Sequence, residues 1–479
     1  MAFKDDYLIF LSDQHRADFI HCAGNSLVRT PFLDKLAAQG ARFESAYTAC
    51  PFCVPARVSM LSGQRAMRTQ VYTNHGAIRD DTATFLHSLA AEGYETVLCG
   101  RMHFEGPNQR HGFTKRIFGD LLQLYPGQED AYKELSYYRP TISEGGCAEI
   151  VGGGDHSPTL DYDRKVIEKA LEYLSQDHDK PQCVVIGTYA PHFPFVGPRE
   201  LYRYYYEKLK GGDQGDPAYD YRLDLFSKRY HIYDRDKVLK MRAAYYAMVE
   251  NMDQQIGQVY DAWQNFLSRR GTKGVFVYTS DHGEALGERD MYAKKTLYEN
   301  AAGIPMIFSG EHVVPGVRCK TPVNLMDVGI TLCDLAGAEI PYQSDGISLK
   351  EQLTGQEDME RVTYSECIEN TDSGFAPGIM VRRGDWKLIW YYGNDSEMLL
   401  FNLAEDPRET HNLVSAYAEK AEELKALIME VWNPEQIIRD HTERTAHIKL
   451  LLKWGRAVHP EETERWHIPE EALALPELS

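Results

Sequence analysis

Two cysteines stand three apart in Cys50-Pro-Phe-Cys53, and the chain runs on through Val54-Pro55-Ala56-Arg57 to Leu61-Ser62-Gly63. A thioredoxin-like redox pair would need this spacing to open a helix and lower one thiol's pKa. A zinc site would need a second pair at similar spacing, and the sequence has none. The remaining choice is that one cysteine acts alone, with Pro-x-Arg behind it, while the other is a buried apolar thiol. Two further dyads, Asp13-Gln14 and Asp281-His282, each follow an apolar run. They offer mostly oxygen ligands and one imidazole, a set that suits Ca²⁺, Mn²⁺ or Mg²⁺ better than zinc. Hydrolysis of an anionic ester needs a strong nucleophile and neutralisation of the oxygens around the central atom. A divalent cation held by oxygens serves both needs, polarising the ester and lowering a hydroxyl's pKa. An isolated aspartate at a strand end is ordinarily a cap or a turn residue; two such dyads around Cys-x-Pro-x-Arg point to chemistry instead.

The Cys53–Arg57 run with its Leu-Ser-Gly sequel closely resembles the signature of the sulfatases, and the other motifs of that family occur in order. Leu8-Ile-Phe-Leu-Ser-Asp13-Gln14 is similar to its first metal-binding strand and Thr279-Ser-Asp281-His282-Gly-Glu-Ala-Leu-Gly287 to its second metal motif. Gly100-Arg101-Met-His103 resembles its glycine-lysine-x-histidine element, and Ala190-Pro-His192-Phe-Pro194 its proline-histidine-x-proline loop. Lys294 falls where the family carries a catalytic lysine. The resemblance covers roughly residues 5 to 310 and continues weakly through Trp386-Lys-Leu388 and Leu403–Arg408. The chain is thus identified as resembling the type I, formylglycine-dependent sulfatases of the alkaline phosphatase superfamily.

The resemblance implies that Cys53, not Cys50, is converted by a maturase to formylglycine (3-oxoalanine). Hydrated, that residue offers one hydroxyl on the metal as nucleophile and a second whose deprotonation releases sulfate. It implies one divalent cation, Ca²⁺ first with Mn²⁺ or Mg²⁺ as alternatives, on Asp13, Gln14, Asp281, His282 and residue 53. Arg57 would hold the diol, Arg101 and Lys294 would clamp the sulfate, and His103 would assist the collapse. His192 would donate a proton to the leaving oxygen, shared with Lys294. Asn74 could donate an amide hydrogen bond to the transferred group, or serve only as a turn residue before Gly76. Aspartate-glutamine and aspartate-histidine, rather than two aspartates and aspartate-asparagine, look like the branch of choline sulfatases and phosphonate monoester hydrolases. The cationic-x-histidine pair at Arg101-x-His103 favours sulfate over phosphonate or phosphodiester hydrolysis, although arginine presents a planar fork where lysine is a point charge. An unmodified, anion-binding relative without turnover, or an isomerase-like one, is the alternative outside hydrolysis.

These residues need a frame. Short apolar runs at Tyr7–Leu11, Glu95–Cys99, Cys183–Tyr189, Gly274–Thr279 and Ile304–Phe308 read as buried strands. Between them Asp34–Gly40 and Val238–Phe266 read as helices. The alternation predicts an α/β domain: a large mixed, mostly parallel sheet flanked by helices, as in alkaline phosphatase, with the site at the strands' C-terminal ends. This catalytic domain is expected over 1–370, with a Tyr-rich insertion at 201–234 framing the substrate entrance or a subunit contact. A smaller α+β subdomain over 371–479 is expected to hold hairpin strands at Ile379–Tyr392 and Met398–Asn402 and a helix at Ala416–Val431. Its charged, Pro-punctuated tail could mediate homo-oligomerisation.

Composition bounds the partners. With 479 residues and a net charge of −19, nucleic acid and anionic membrane surfaces are poor partners, and an anionic substrate must meet a local positive site. No run approaches the roughly 20 apolar residues of a membrane span. Nine irregularly spaced cysteines do not form a disulfide framework. Together these features predict a cytoplasmic enzyme acting on a small sulfate ester, such as an aryl, choline or sugar sulfate.

Overall fold

The computed structural model describes residues 4–212, 216–371 and 374–477. Every residue of Asp6–Asp13 (β1) is buried, because Tyr7, Ile9 and Leu11 enter one layer of the core while Leu8 and Phe10 enter the other. A strand covered on both faces reads as a continuous apolar run, as expected in a parallel sheet between helices. It lies near the middle of an eight-stranded sheet. The other strands are Gly40–Phe43 (β2), Glu95–Gly100 (β3), Lys115–Phe118 (β4), Gln182–Pro191 (β5), Gly274–Ser280 (β6), Met306–Gly310 (β7) and Val317–Cys319 (β8). Their spatial order is β8-β2-β7-β6-β1-β5-β3-β4. All neighbours are parallel except that β7 runs antiparallel to β6 and β2. This is the mixed, mostly parallel sheet that the strand–helix alternation predicts.

The helices that matter to the site are Pro31–Ala38 (α1), Cys53–Ser62 (α2), Pro158–Leu174 (α3), Arg199–Lys210 (α4), Arg235–Arg270 (α5) and Asp327–Ala336 (α6). Leu33 and Leu36 of α1, Val166 and Ala170 of α3, and Ile256 and Trp263 of α5 pack on the Leu8 face. Met60 and Leu61 of α2 and Val328 and Leu332 of α6 pack on the Tyr7 face. Helix α5 exceeds the predicted 238–266 at both ends because Asp234 caps it, accepting from the Lys237 amide at 2.8 Å, and Gly271 closes it in the left-handed region.

Residues 201–234 are less peripheral than an insertion over the sheet edge. The segment begins inside α4, whose Tyr202, Tyr205 and Leu209 are buried. The Tyr205 hydroxyl binds Glu250 of α5 at 2.5 Å. Residues 213–215, which fall in this stretch, lie outside the described residues.

A four-stranded antiparallel sheet follows: Val362–Thr371 (β9), Gly374–Arg383 (β10), Trp386–Tyr391 (β11) and Leu399–Asn402 (β12). Because β9 begins at Val362, this sheet starts earlier than a division at 370 would place it. The predicted hairpin is β10–β11, and Ala418–Val431 (α7) packs against it. The stretch read from sequence as a tail contains a further helix, Pro434–Val458 (α8). Pro434 does not interrupt it but starts it: Asn433 caps the Gln436 amide at 3.0 Å, and proline at the first helical position forfeits no internal hydrogen bond. Beyond α8 the chain returns to its own catalytic region. The Asp120 amide donates to Glu464, Trp466 donates to Asp120, and Glu477 donates to Gly153.

Candidate active site

Registry brings the two dyads together. Strands β1 and β6 are adjacent and parallel, with Leu11 beside Thr279 and Ser12 beside Ser280. Asp13 and Asp281 therefore emerge side by side at the C-terminal edge of the sheet. On the other flank of β1, Gly100 pairs with Gly187, and a Cβ on Gly187 would lie 1.8 Å from the Arg101 carbonyl oxygen. Glycine there lets the Arg101 backbone cross close to β5. Helix α2 starts at Cys53 and all ten of its residues are buried. Its first turn is fixed by Asn74, whose Oδ1 accepts from the Val54 amide at 3.0 Å. Asn74 is thus a helix cap, and it also lines the catalytic cavity.

Asp13, Cys53, Asp281 and His282 bring their donor atoms within 4.8 Å of one another, all four buried. The Cys53 sulfur is 3.2 Å from His282 Nε2 and 3.9 Å from Asp13 Oδ1. His282 Nδ1 lies 3.0 Å from the Gly283 carbonyl. The proton therefore belongs on Nδ1, leaving the Nε2 lone pair toward the cluster, as a metal-binding imidazole requires. Arg57 ties the carboxylates from behind: Nε donates to Asp281 Oδ2 at 2.9 Å, Nη2 to Asp13 Oδ2 at 3.0 Å and Nη1 to the Arg101 carbonyl at 3.1 Å. Burial and the Cys53 sulfur would raise the Asp13 pKa, but Arg101, His192 and Arg57 outweigh them and hold it well below the usual carboxylate range. Two carboxylates, an imidazole lone pair and a polar atom on residue 53 fit a hard or intermediate divalent cation.

Gln14 sits differently from the other expected ligands. Its backbone, at a φ of 71°, donates to Asp281 Oδ1 at 3.0 Å. Its side-chain oxygen accepts from Lys294, and its amide nitrogen donates to Glu284. The oxygen is thus the end turned toward Lys294. Glu284, fully buried, also accepts from the Leu286 amide at 2.8 Å and from the Ala293 amide, so it fixes which way the Gln14 amide faces. It stands in the quoted second metal motif, where the signal for it was already present.

The cationic side is built from Lys294, His192, Arg101 and His103. Lys294 Nζ lies 2.7 Å from His192 Nε2, and His192 Nδ1 lies 2.6 Å from the Phe193 carbonyl. His192 is therefore neutral, with its proton on Nδ1 and its lone pair toward Lys294. Burial and then the neighbouring ammonium lower its pKa to about 4. In this arrangement Lys294 Nζ donates to His192 Nε2. Arg101 also lines the cavity. Its Nε binds Asp13 Oδ2 at 2.6 Å, Nη1 binds Asp120 at 3.2 Å, and Nη2 binds His103 Nδ1 at 2.9 Å. The fork thus holds Asp13 and His103 in place. His103, at a φ of 57°, is held by its backbone donation to Asp120 at 2.8 Å. Asp120 gave no signal in the sequence, since only the β3–β4 crossing brings it behind Arg101.

Cys53 and Cys50 part company. Burial would push both thiols up. At Cys53, Lys294, His282 and the neighbouring His103 and His192 rings overcome it and lower the pKa well below the ordinary value. At Cys50 burial prevails and the pKa stands well above it. Cys50 packs in the core under the antiparallel sheet, and both cysteines are free thiols. Arg229, from the Tyr-rich segment, donates to the carbonyls of Lys294 and Lys295 and to Glu369. That segment thus supports the lysine loop from behind.

Comparison with known proteins agrees with this geometry. The family model described as Sulfatase matches residues 5–338, and one described as N-sulphoglucosamine sulphohydrolase, C-terminal, matches residues 287–434. A choline-sulfatase of Rhizobium meliloti (strain 1021) is 32% identical over 437 residues, covering 86% of this chain and 82% of that protein. A structure solved with its substrate D-glucosamine-2-N,6-O-disulfate superposes with a TM-score of 0.72 at 22% identity, covering 91% of this chain and 98% of the other. The phosphonate monoester hydrolase of Agrobacterium radiobacter superposes at 0.71 with 20% identity, covering 89% and 95%. Among the described residues no helix is long and apolar enough to cross a membrane.

Proposed function

The chain belongs to the sulfatase family, and on that premise we propose that it hydrolyses a sulfate monoester of a small alcohol, releasing inorganic sulfate. The observation that carries this reading is the buried cluster of Asp13, Cys53, Asp281 and His282 faced by Lys294. A divalent cation there, on these four residues and the Gln14 oxygen, would polarise the ester and lower a hydroxyl's pKa. Formylglycine at position 53, made by a maturase, would supply a hydrated aldehyde whose two hydroxyls serve attack and release.

The chain's own groups do the rest. Lys294 neutralises the ester's oxygens and is the group able to protonate the departing alkoxide, directly or through His192 Nε2. His192, fixed by the Phe193 carbonyl, holds the ammonium in line. His103 accepts from Arg101 at Nδ1, so the neutral ring carries its hydrogen on Nε2 and can donate it to residue 53. Arg57 donates to Asp13 and Asp281 and Arg101 to Asp13, which holds the carboxylates aimed, a positioning role. Phosphonate monoester hydrolysis is the second reading. The commitment of Arg101 to Asp13, Asp120 and His103 favours it to this extent: the fork does not stand where it would obstruct a carbon substituent.

The test combines intact mass, which falls below the encoded value on conversion of Cys53, with turnover of matched 4-nitrophenyl sulfate and phenylphosphonate monoesters by converted, metal-loaded enzyme. Preference for the sulfate in kcat/KM is expected. Preference for the phosphonate establishes the second reading, and no turnover by a verified converted enzyme refutes both.

A further inference from the structure

Two residues in the lining of the catalytic cavity carry hydrogen-bond acceptors that have no partner among the described residues. The cavity, of about 470 Å³, is lined by Glu105 and Gln123 as well as by Arg101, His192 and Lys294. Glu105 is only 5% exposed and Gln123 only 7%. One Glu105 oxygen accepts from His75 at 3.2 Å, but Oε2 has no hydrogen-bond partner among the described residues. Gln123 likewise leaves its oxygen without a partner among the described residues. A buried acceptor without a donor is costly, and a ligand that supplies the donor recovers that cost. Two such atoms in a site built for an anion cannot be meant for the sulfate, because a carboxylate repels it.

We propose that Glu105 and Gln123 form an acceptor subsite for the alcohol half, selecting alcohols that carry an N–H or O–H donor near the ester oxygen. The subsite rests on the sulfate-ester reading given above. A quaternary ammonium, which has charge but no N–H, fits it poorly. It would need free aromatic faces, and three of the rings lining the cavity already face the protein's own cations: Tyr189 faces Arg101 at 4.4 Å, Phe193 faces Lys294 at 5.0 Å and Phe52 faces Lys295 at 4.5 Å. Past the Glu105–His75 pair a second, mainly apolar cavity of about 650 Å³ opens against α8.

The experiment compares kcat/KM of converted enzyme for ethyl, 2-hydroxyethyl, 2-aminoethyl and choline sulfates, with 4-nitrophenyl sulfate as the reporter of the reaction itself. The hydroxyl and amino esters are expected to exceed ethyl sulfate by at least about tenfold, and choline sulfate is not. Glu105→Gln keeps an acceptor for His75 but turns the other atom into a donor, so it should shrink that advantage to within about threefold. Gln123→Leu, a second variant should the first fold poorly, should shrink it too. Absence of the preference in the unmutated enzyme, its survival in both folded variants, or choline sulfate as the best substrate each overturns the subsite. Failure to turn over 4-nitrophenyl sulfate counts against the reaction instead. The subsite is then judged by calorimetric titration of the unconverted protein with the same four esters, where equal affinities overturn it.

Discussion

Replacing Arg57 by Lys separates two accounts of this residue. The family resemblance has Arg57 holding the nucleophile, whereas the structure has it bridging Asp13 and Asp281 at 3.0 and 2.9 Å. Lysine keeps the charge, but a single ammonium on an unforked stem cannot reach both carboxylates and the Arg101 carbonyl. At least one charge-assisted hydrogen bond is lost, worth about 1.5–3 kcal/mol. Part of that is retained, because Asp13 still accepts from Arg101 and Asp281 from the Gln14 and His282 amides. The loss should fall on the metal, as groups that orient ligands typically contribute about 10–100-fold in affinity, or about 1.4–2.8 kcal/mol. The assay is calorimetric titration of metal-free enzyme with Ca²⁺ or Mn²⁺, followed by kcat at saturating metal. The expected result is weaker binding with most of kcat recovered when metal is in excess. Metal affinity within twofold of the unmutated enzyme, together with a kcat that excess metal does not restore, would refute the bridging role and return Arg57 to the reacting group.

Cys53→Ala should abolish multiple turnover, whereas Cys50→Ala should cost about 1 kcal/mol of stability by leaving a small void in the core and keep kcat within a few-fold; melting curves and steady-state assays distinguish the two. Because His192 is depressed to about 4 from an ordinary 6.5, the unfolded chain binds a proton there before the folded one does. The stability this contributes is present above about pH 6.5 and is lost as the pH falls through about 4. Lys294→Met removes the cation that adds to burial in lowering that pKa, so the His192 ring should titrate measurably higher by NMR, and an unchanged titration would refute the contact. Deleting residues 459–479 removes the Glu464 and Trp466 backbone bonds to Asp120. It should lower Tm and kcat/KM together, since Asp120 steadies Arg101 and His103; full activity in the truncated enzyme would show the return strand to be dispensable.

What could be read from the sequence was whatever local chemistry repeats along the chain. β1 and β6 announce themselves as apolar runs ending in Asp13-Gln14 and Asp281-His282, and Cys53 is singled out by the Pro-x-Arg that follows it. Period and composition suffice there because a strand buried on both faces must be continuously apolar and its polar residues can only stand at its end. Helix α8 was missed because its apolar positions do not form one stripe: Leu450, Leu451, Trp454 and Val458 stay exposed, and Pro434 reads as a breaker unless the Asn433 cap is known.

The roles inside the site were decided by the tertiary structure. Asp120, Glu105 and Gln123 are ordinary polar residues in the sequence and acquire meaning only through what the sheet crossings and loops set opposite them. The same applies to residues whose importance was legible but whose partners were not. A guanidinium four residues after Cys53 could hold a nucleophile or a pair of carboxylates, and the parallel register of β1 and β6 brings two carboxylates to it. A histidine could give or take a proton, and the Phe193 carbonyl on one nitrogen and Lys294 on the other determine that His192 is neutral. Residue type and spacing set which chemistries are available. Which of them operates depends on distances of a few ångströms between residues far apart in the chain, because hydrogen bonds and buried charges act only at that range.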